Sequence, residues 1–365
     1  MLVLLAALPS ARLAAVPADS LIVSGPAGSE VVVVLDCRSG AVRARVRTPA
    51  PLGAPVVADF AAGALYAVTR SGELLRYSLP GLTLRARQAL AFAPTALGAS
   101  RGPDALVLAG GRGATPLSAH DPDTLAVLMR YPSDGPAQVA AVLDLAPRGR
   151  FVVGFADRPE LWEIAYDRNA PAVLRGLVHD YRMGEAVTLP GRLTSRPFAV
   201  PSASRELVAG ASAFELLRID ADGVPGVVNL DVRREIERPR IGTLPRTVAA
   251  QAWSADGRRG WLIATAHGAT RVLEAPDWRV STFDLGGAAL ALGPGPGAGE
   301  SNLLIHTPNG TELLRVDAAG ARVLRRVRLP AAAAGAQRIA AGSDGRCVAL
   351  LDGEGHWVGR ADGSP

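Results

Sequence analysis

The stretch Val31–Gly40 reads Val-Val-Val-Val-Leu-Asp-Cys-Arg-Ser-Gly and sets a pattern that the rest of the chain repeats. A short apolar run rich in β-branched residues is typical of a strand, and the Ser39-Gly40 pair is typical of a hairpin turn. After the turn, a second run with Val and scattered Arg extends from Val42 to Arg47. This stretch therefore predicts a small antiparallel sheet.

The pattern of apolar strand, turn and second strand recurs along the whole chain. Its further instances begin near Leu65, Leu106, Phe151, Leu207, Trp261, Leu303 and Cys347. Further turn pairs of the same kind are Ser71-Gly72, Asp222-Gly223, Asp256-Gly257 and Asn309-Gly310. A spacing of roughly 35 to 55 residues is that of propeller blades, and helical periodicity is nearly absent. The sequence predicts an all-β fold, an eight-bladed β-propeller that spans residues 21–365.

The composition supports a folded domain and disfavours a nucleic-acid partner. Hydrophobic residues make up 48% of the 365 residues and charged residues 20%, which is enough apolar surface for a core. The net charge is +5, but all 39 basic residues are arginine and they are spread along the chain. A nucleic-acid site would concentrate them, whereas a few dispersed arginines suit an acidic ligand.

The N-terminal residues 1–20 allow two interpretations. Met1–Leu8 is a short apolar run, and small residues follow it, as in a secretory signal that lacks its basic start. The alternative is a first β-strand. Neither this run nor any later one is long enough to span a bilayer, so a membrane-spanning protein is not expected.

The cysteines limit the kinds of metal and heme site. Cys37 and Cys347 are the two cysteines, and no Cys-x-x-Cys-His motif is present. Covalent c-type heme attachment and thiolate zinc sites are therefore excluded. The two residues fall in the first and last units of the predicted ring, where they form either a bridge or two free thiols.

Two other segments depart from a plain strand-and-turn pattern. Gly110-Gly111-Arg112-Gly113 resembles a phosphate loop, but no helix follows it, so we interpret it as a turn. The polar segment 165–200 is longer than the other connections. Long excursions from a repeat often line binding sites, so we expect this one to cover part of one mouth of the ring.

Four segments in the middle of the chain carry a family resemblance. They are Gln138-Val139-Ala140-Ala141-Val142, Arg158-Pro159-Glu160-Leu161-Trp162-Glu163-Ile164, Gly176-Leu177-Val178-His179-Asp180-Tyr181-Arg182-Met183-Gly184-Glu185 and Val227-Val228-Asn229-Leu230-Asp231-Val232-Arg233-Arg234. In this order and spacing they resemble the heme d1 propeller domain of periplasmic nitrite reductases and of the related dihydro-heme d1 dehydrogenases. The resemblance is closest to the dehydrogenase branch.

The resemblance implies a function as well as a fold. It implies a periplasmic protein that binds heme d1 or its dihydro precursor, with an oxidoreductase or cofactor-maturation role in denitrification. Because the chain has no c-heme of its own, a c-type cytochrome or another heme d1 enzyme would be its partner.

The resemblance also assigns candidate site residues. Arg70, Arg158, Arg246 and Arg182 would grip the carboxylates of the macrocycle, and His267 would move a proton as the catalytic group and is a weak candidate for an iron ligand. Four of these five residues have an alternative. Arg70 would be a solvated turn residue, Arg158 an ion-pair partner of Glu160, His267 a structural histidine and Arg182 a loop brace.

Several positions depart from the family's pattern. The family's proximal iron ligand is a histidine, but no histidine precedes His120 in this chain, and the corresponding stretch is 51–55. Arg246 stands where the family has a second pocket histidine, and Gln138 stands where it has an arginine. These departures favour an alternative function, a catalytically silent propeller that acts as a protein-interaction scaffold.

Overall fold

A computed structural model describes residues 21–36, 39, 41–175, 187–244, 249–264, 269–330, 335–336, 338–341, 347–352 and 357–362. The N-terminal segment 1–20 and Cys37 lie outside these residues, so the interpretations made for them stay predictions. Within the described chain, the only helical element is a single 3-10 turn, Ala146–Arg148. No described segment forms a helix with the length and apolar character that a membrane span requires.

The strands form antiparallel meanders in chain order. The first sheet has three strands, β1 (Leu21–Ser24), β2 (Val31–Asp36) and β3 (Val42–Arg47). The last sheet also has three, β30 (Arg338–Ala341), β31 (Cys347–Leu351) and β32 (Trp357–Asp362).

Four separate sheets have four strands each. They comprise β4 (Val57–Asp59), β5 (Ala64–Thr69), β6 (Glu73–Ser78) and β7 (Thr83–Ala89); β18 (Ser204–Ala209), β19 (Glu215–Asp220), β20 (Pro225–Asn229) and β21 (Arg234–Glu237); β22 (Ala249–Ala255), β23 (Arg258–Ala264), β24 (Ala269–Ala275) and β25 (Arg279–Asp284); and β26 (Ala288–Pro294), β27 (Glu300–Thr307), β28 (Gly310–Asp317) and β29 (Arg322–Arg328).

An eight-stranded sheet lies between the second and fifth of the predicted units. Its strands are β8 (Ala93–Ala99), β9 (Val107–Gly113), β10 (Leu117–His120), β11 (Val127–Tyr131), β12 (Ala137–Leu145), β13 (Arg150–Phe155), β14 (Glu160–Ala165) and β17 (Ser195–Ala199). Ala137 and Gln138 at the start of β12 pair with Gly113 and Arg112 at the end of β9, and this joins two four-stranded meanders. The structure thus confirms an all-β propeller, but its sheets do not by themselves give the predicted eight separate blades.

Within each meander, burial follows the position of the strand. The last strands are exposed and rich in arginine, as in β3, β7 and β29. The second and third strands are mostly buried, and all six residues of β5 and of β19 are. The first strands β12, β18, β22, β26 and β30 pack beside one another in succession. They therefore line the axis of the ring, and the charged last strands form its rim.

Apolar clusters fill the space between successive sheets. One cluster joins the two halves of the eight-stranded sheet through Phe151, Phe155 and Leu117. Another joins the first sheet to the last, where Ile22 and Leu35 pack with Ala349. Burial of such side chains drives the sheets together face to face.

The predicted turns and strands agree with the structure at most positions. Asp222-Gly223 connects β19 to β20, and Asp256-Gly257 connects β22 to β23. The interpretation of residues 110–113 as a turn is wrong, because they belong to β9. A Cβ at Gly111 would lie 2.2 Å from the carbonyl oxygen of Ala93 on β8, so glycine permits this strand to pack closely between its neighbours.

The long segment after β14 contains one hairpin, β15 (Val173–Arg175) and β16 (Val187–Leu189). Near its start, Arg168 forms an ion pair with Asp104 at 2.5 Å, and Asp104 lies in the connection from β8 to β9. Residues 176–186, including His179 and Arg182, lie outside the described chain. This segment therefore departs from the meander pattern, as predicted. Its described start contacts the connection from β8 to β9.

Candidate functional site

The connections divide between two faces of the ring. We call the face where the first strands begin the upper face and the other the lower face. Antiparallel order places the turn from each second to each third strand on the upper face too. Backbone bonds join the two kinds of upper connection: the amide of Leu244 donates to the carbonyl of Gly223 at 2.7 Å, and that of Val200 donates to Pro159 at 3.0 Å.

A cleft of about 440 Å³ opens at the upper ends of three successive first strands. It is lined by Thr95, Gln138, Val139, Ala140, Ala156, Ser204, Arg205 and Ala221. Its volume lies in the range of small-molecule and cofactor sites, about 300–1,000 Å³. The first strands supply the lining because their side chains are only half buried towards the axis.

Some polar groups of the cleft have a hydrogen-bond partner within the described chain, and others do not. The Thr95 hydroxyl donates to the carbonyl of Val139 at 2.7 Å. The Gln138 Oε1 accepts a hydrogen bond from Arg112 at 2.6 Å, so its amide nitrogen is the group left to donate to a ligand. Within the described chain, the buried Ser204 Oγ has no hydrogen-bond partner. A buried hydroxyl of this kind suits a ligand acceptor.

Arg205 and Glu206 follow Ser204 on β18. Arg205 supplies the guanidinium group of the cleft lining. Burial raises the pKa of Glu206, and the Arg205 charge opposes that rise. The cleft therefore combines one cation with hydrogen-bonding groups of neutral residues.

Gln138 is recognisable in the sequence as a changed position, whereas Arg205 was not predicted as a site residue. Gln138 is the second residue of β12, and Arg205 is the second residue of β18. By strand register, Arg205 corresponds to Ala140, because both lie at the register shift near the start of their first strand. Aligning the first strands of the repeated units with one another would have identified Arg205.

Arg70 lies on the upper face, in the turn from β5 to β6. Its side chain is exposed, and its backbone amide donates to the carbonyl of Pro51 at 2.7 Å. It does not line the cleft described above. Its predicted contact with a ligand carboxylate stays a prediction, and its place on the upper face is compatible with it.

Arg158 lies on the same face, in the turn from β13 to β14. Its Nη1 forms an ion pair with Glu160 at 3.1 Å, and its Nη2 donates to the carbonyls of Asp134 and Pro136 at 3.4 Å each. Its guanidinium carbon also lies 5.6 Å from the centre of the Phe155 ring. These contacts brace two upper connections against each other, as expected if Arg158 shapes the loop.

The other three predicted site residues, His267, Arg246 and Arg182, lie outside the described chain. The strand ends that flank His267 are Ala264 of β23 and Ala269 of β24, and both belong to the upper face. Arg182 falls between β15 and β16, in the long segment that runs from the end of β14 to the start of β17 at the lower face. The roles of these residues stay predictions.

No described residues form a group of three or more His, Cys, Asp or Glu side chains able to hold a metal ion. Of the described histidines, His120 is buried on β10 and its ring nitrogens bond to Ser118 at 2.7 Å and to the carbonyl of Leu125 at 3.0 Å. His306 is exposed on β27. Neither lines the cleft.

Comparisons with known proteins support the fold. The structure of the dihydro-heme d1 dehydrogenase NirN in complex with DHE is similar, with a TM-score of 0.75 and 19% identity over 97% of this chain and 76% of that one. The C-terminal WD40 domain of Sif2 has a TM-score of 0.61 at 10% identity, over 91% of this chain and 89% of its own. The designed protein Ika8 has a TM-score of 0.63 at 14% identity, over 93% and 92%. These likenesses show a propeller fold.

No protein-family model and no curated protein matches the chain in sequence.

The described cleft fits the organic part of a flat acidic macrocycle. It offers Arg205 for a carboxylate and Gln138 and Ser204 for hydrogen bonds. The described residues provide no imidazole there for iron. Any such ligand would come from residues outside the described chain.

Proposed function

We propose that the chain is a heme d1-family propeller protein that binds heme d1 or its dihydro precursor at the upper cleft. The observation that carries the proposal is the position of Gln138, Val139 and Ala140. Val139 and Ala140 belong to a segment that resembles the family, Gln138 begins that segment in place of the family's arginine, and all three line the cleft at the axis. The likeness to NirN over 97% of this chain supports the same fold.

The proposed binding mode assigns tasks to individual side chains. Arg205 pairs with a macrocycle carboxylate, and Gln138 and Ser204 donate hydrogen bonds to it. Arg70 contacts the edge of the ligand from the upper face, and Arg246 adds charge. Arg182 is assigned no task at the cleft, because the strand ends that flank its segment belong to the lower face. His267 donates or accepts a proton at the ligand. Arg158 holds the surrounding connections in place through Glu160.

The proposed ring has eight blades. The eight-stranded sheet divides at β12 into two four-stranded meanders, as in the neighbouring sheets. Among the described residues, eight apolar clusters lie between successive meanders; one of them lies within the eight-stranded sheet, between its two halves, and one joins the first sheet to the last. One interface for each neighbouring pair is what a closed ring of eight units requires.

Location and partner follow from the family resemblance. We place the protein in the periplasm. Electrons from the dihydro precursor would pass to a c-type cytochrome, because the chain has no site for covalent heme attachment.

One observation favours a second function, a propeller that binds a protein partner and performs no catalysis. The described part of the cleft offers no imidazole, and the described histidines lie elsewhere. On this alternative, the upper face keeps its shape but no longer binds an iron-containing ligand.

A spectroscopic titration separates the two functions. The purified chain is titrated with heme d1 and, separately, with the dihydro precursor, and the visible spectrum is recorded. The proposal predicts a saturable spectral change that Arg205→Gln weakens about tenfold, since one charge-assisted hydrogen bond is lost. Arg45→Gln, on the exposed strand β3, serves as the control and leaves the affinity unchanged. No spectral change well above micromolar ligand would leave the scaffold function.

A further inference from the structure

Four arginines surround one buried carboxylate on the lower face, between the sheet of β12–β14 and that of β18–β21. We call Arg148, Arg150, Arg196, Arg233 and the central Glu163 the arginine cluster. The Glu163 side chain is 0% exposed. Its Oε2 lies 2.7 Å from Arg233 Nε and 3.4 Å from Arg150 Nη1, and its Oε1 lies 3.8 Å from Arg148 Nη2.

The strand register brings these residues together. Glu163 on β14 is paired with Arg196 on β17 and, on its other side, with Val152 on β13. Arg150 is two residues before Val152, so its side chain lies on the same face of the sheet as Glu163. Arg148 comes from the 3-10 turn that precedes β13.

Arg233 comes from the neighbouring meander, in the turn from β20 to β21. Its backbone has φ of 50°, in the left-handed region that a residue other than glycine adopts at a cost. Strain of this kind persists where the surroundings hold the residue in place. Here the ion pair with Glu163 spans the interface between two sheets.

The cluster carries more positive than negative charge. Asp231 also reaches it and accepts a hydrogen bond from Arg148 Nη1 at 2.7 Å. Four guanidinium groups therefore face two carboxylates, which leaves two positive charges without compensation. Among the described residues, the Arg196 side chain makes no hydrogen bond or ion pair within the usual distances. Its pKa is lowered by burial and then by the charges of Arg233 and Arg150, and the Glu163 charge opposes that shift.

The arginines reach solvent although Glu163 does not. The exposed fractions are 31% for the Arg233 side chain, 18% for Arg148 and 14% for Arg150. Arg233 and Arg150 each bond Glu163 through one nitrogen, and each guanidinium group has further N–H donors. Partly buried guanidinium groups in excess bind anions strongly because water screens them little.

We propose that the arginine cluster binds a small dianionic oxyanion, phosphate or sulfate, on the lower face where the two sheets meet. A dianion neutralises the two uncompensated charges, whereas a monoanion such as acetate neutralises one. The donors come from two sheets, so the bound anion links the meander of β12–β14 and β17 to that of β18–β21. The site is on the face opposite to the cleft and does not depend on the proposed heme function.

Calorimetric titration of the purified chain tests this site. Sodium phosphate, sodium sulfate, sodium acetate and sodium chloride are titrated at low and matched ionic strength. The expected result is one saturable site for phosphate and sulfate, with acetate at least about tenfold weaker and chloride without saturation. Phosphate and sulfate that bind no better than chloride would overturn the proposal.

Three variants locate the site, and one variant is their control. Arg196→Gln and Arg233→Gln are each expected to weaken phosphate binding about tenfold or more. Glu163→Gln is expected to strengthen it, because a competing negative charge is removed. Arg45→Gln removes an exposed arginine from β3 and is expected to change nothing.

Circular dichroism and the thermal midpoint verify that each variant is folded. The Arg196 side chain makes no described hydrogen bond or ion pair, so Arg196→Gln tests the site even if Glu163→Gln does not fold. Equal phosphate affinity in wild type, Arg196→Gln and Arg45→Gln would overturn the proposal.

Discussion

Arg218 and Glu235 form an ion pair almost wholly inside the protein. Their side chains are 1% and 5% exposed, and Arg218 Nη2 lies 2.5 Å from Glu235 Oε2. Arg218 also donates to the carbonyls of Ser202 and Ala203, in the connection that leads to β18 and the cleft. A charge so deeply buried is tolerated only while its partner is present.

We expect Glu235→Ala to lower the free energy of unfolding by about 3–5 kcal/mol, because it leaves the Arg218 charge buried and uncompensated. Urea denaturation followed by circular dichroism measures this loss of stability. Glu30→Ala is the matched control, since Glu30 pairs with Arg47 at the surface, and its cost is expected to stay below about 1 kcal/mol. Equal losses in the two variants would contradict this account of Arg218.

His120 is buried on β10, between the Ser118 hydroxyl and the carbonyl of Leu125. Burial lowers the pKa of His120, the bond to Leu125 opposes that shift and the Arg130 charge adds to it. Its contribution to stability is therefore complete above the unfolded-state pKa of about 6.5 and is lost as the pH falls towards the folded-state value.

The protein is accordingly expected to lose stability between pH 7.5 and pH 5.5, as roughly one pH unit on either side of that value brackets the titration. His120→Gln is expected to be less stable at both pH values but to show a smaller loss between them. Urea midpoints at the two pH values measure the difference. His306→Gln, at an exposed position, is the control that keeps the wild-type dependence. An unchanged pH dependence in His120→Gln would show that another group titrates.

At the scale of elements, the upper connections are held by close backbone contacts. Gly223, in the turn from β19 to β20, has φ of +84°, and a Cβ there would lie 2.1 Å from the carbonyl oxygen of Leu244. Gly257 has a similar φ of +76° but faces open space. Substitution of the two glycines therefore distinguishes the cost of a left-handed backbone from the cost of a close contact with the neighbouring connection.

Gly257→Ala is expected to cost about 1–2 kcal/mol, the penalty of a left-handed residue. Gly223→Ala is expected to cost about 1–3 kcal/mol more, since the connection at Leu244 must move away. Urea denaturation of both variants gives the comparison. Similar costs would indicate that the connection at Leu244 adapts freely.

The strands were predictable from the sequence because they depend on local pattern. Apolar runs such as Val31–Leu35 and turn pairs such as Asp256-Gly257 specify strand and hairpin within a few residues. The pairing of β9 with β12 was not predictable, because it joins residues of two units through an edge contact. Residues 110–113 were misread because glycines in a strand resemble a turn unless the neighbouring strands are known.

At the scale of the molecule, the ring depends on contact between its first and last sheets. Ile22 and Leu35 are buried against Ala349 across this junction. Ile22→Ala is expected to cost about 2–5 kcal/mol in the free energy of unfolding, as for other large-to-small changes in a core.

The control for this change is Val42→Ala, which truncates a side chain that is 55% exposed on β3. It is expected to change stability little. Urea denaturation of both variants is the measurement. A loss at Ile22 no greater than that at Val42 would mean that the junction is not a packed interface.

The candidate site was predictable only in part. The segment from Gln138 stood out in the sequence, and the structure places it at the axis. Arg205 did not stand out, because its importance comes from its register in a neighbouring first strand. The arginine cluster escaped detection as well, since its members lie far apart in the chain and meet only through strand pairing.

The central claim is that a flat acidic macrocycle occupies the upper cleft. Ala221 lies in the turn from β19 to β20, is exposed and lines the cleft, so Ala221→Trp fills the site without disturbing the core. Ala61 is an equally exposed turn residue between β4 and β5, and Ala61→Trp is the matched control.

The most direct measurement is the dissociation constant for heme d1 of these two variants and the wild type, from visible spectra. The account predicts saturable binding by the wild type and by Ala61→Trp, and binding at least about tenfold weaker in Ala221→Trp. Equal affinity in all three proteins, or no binding by the wild type, would contradict it.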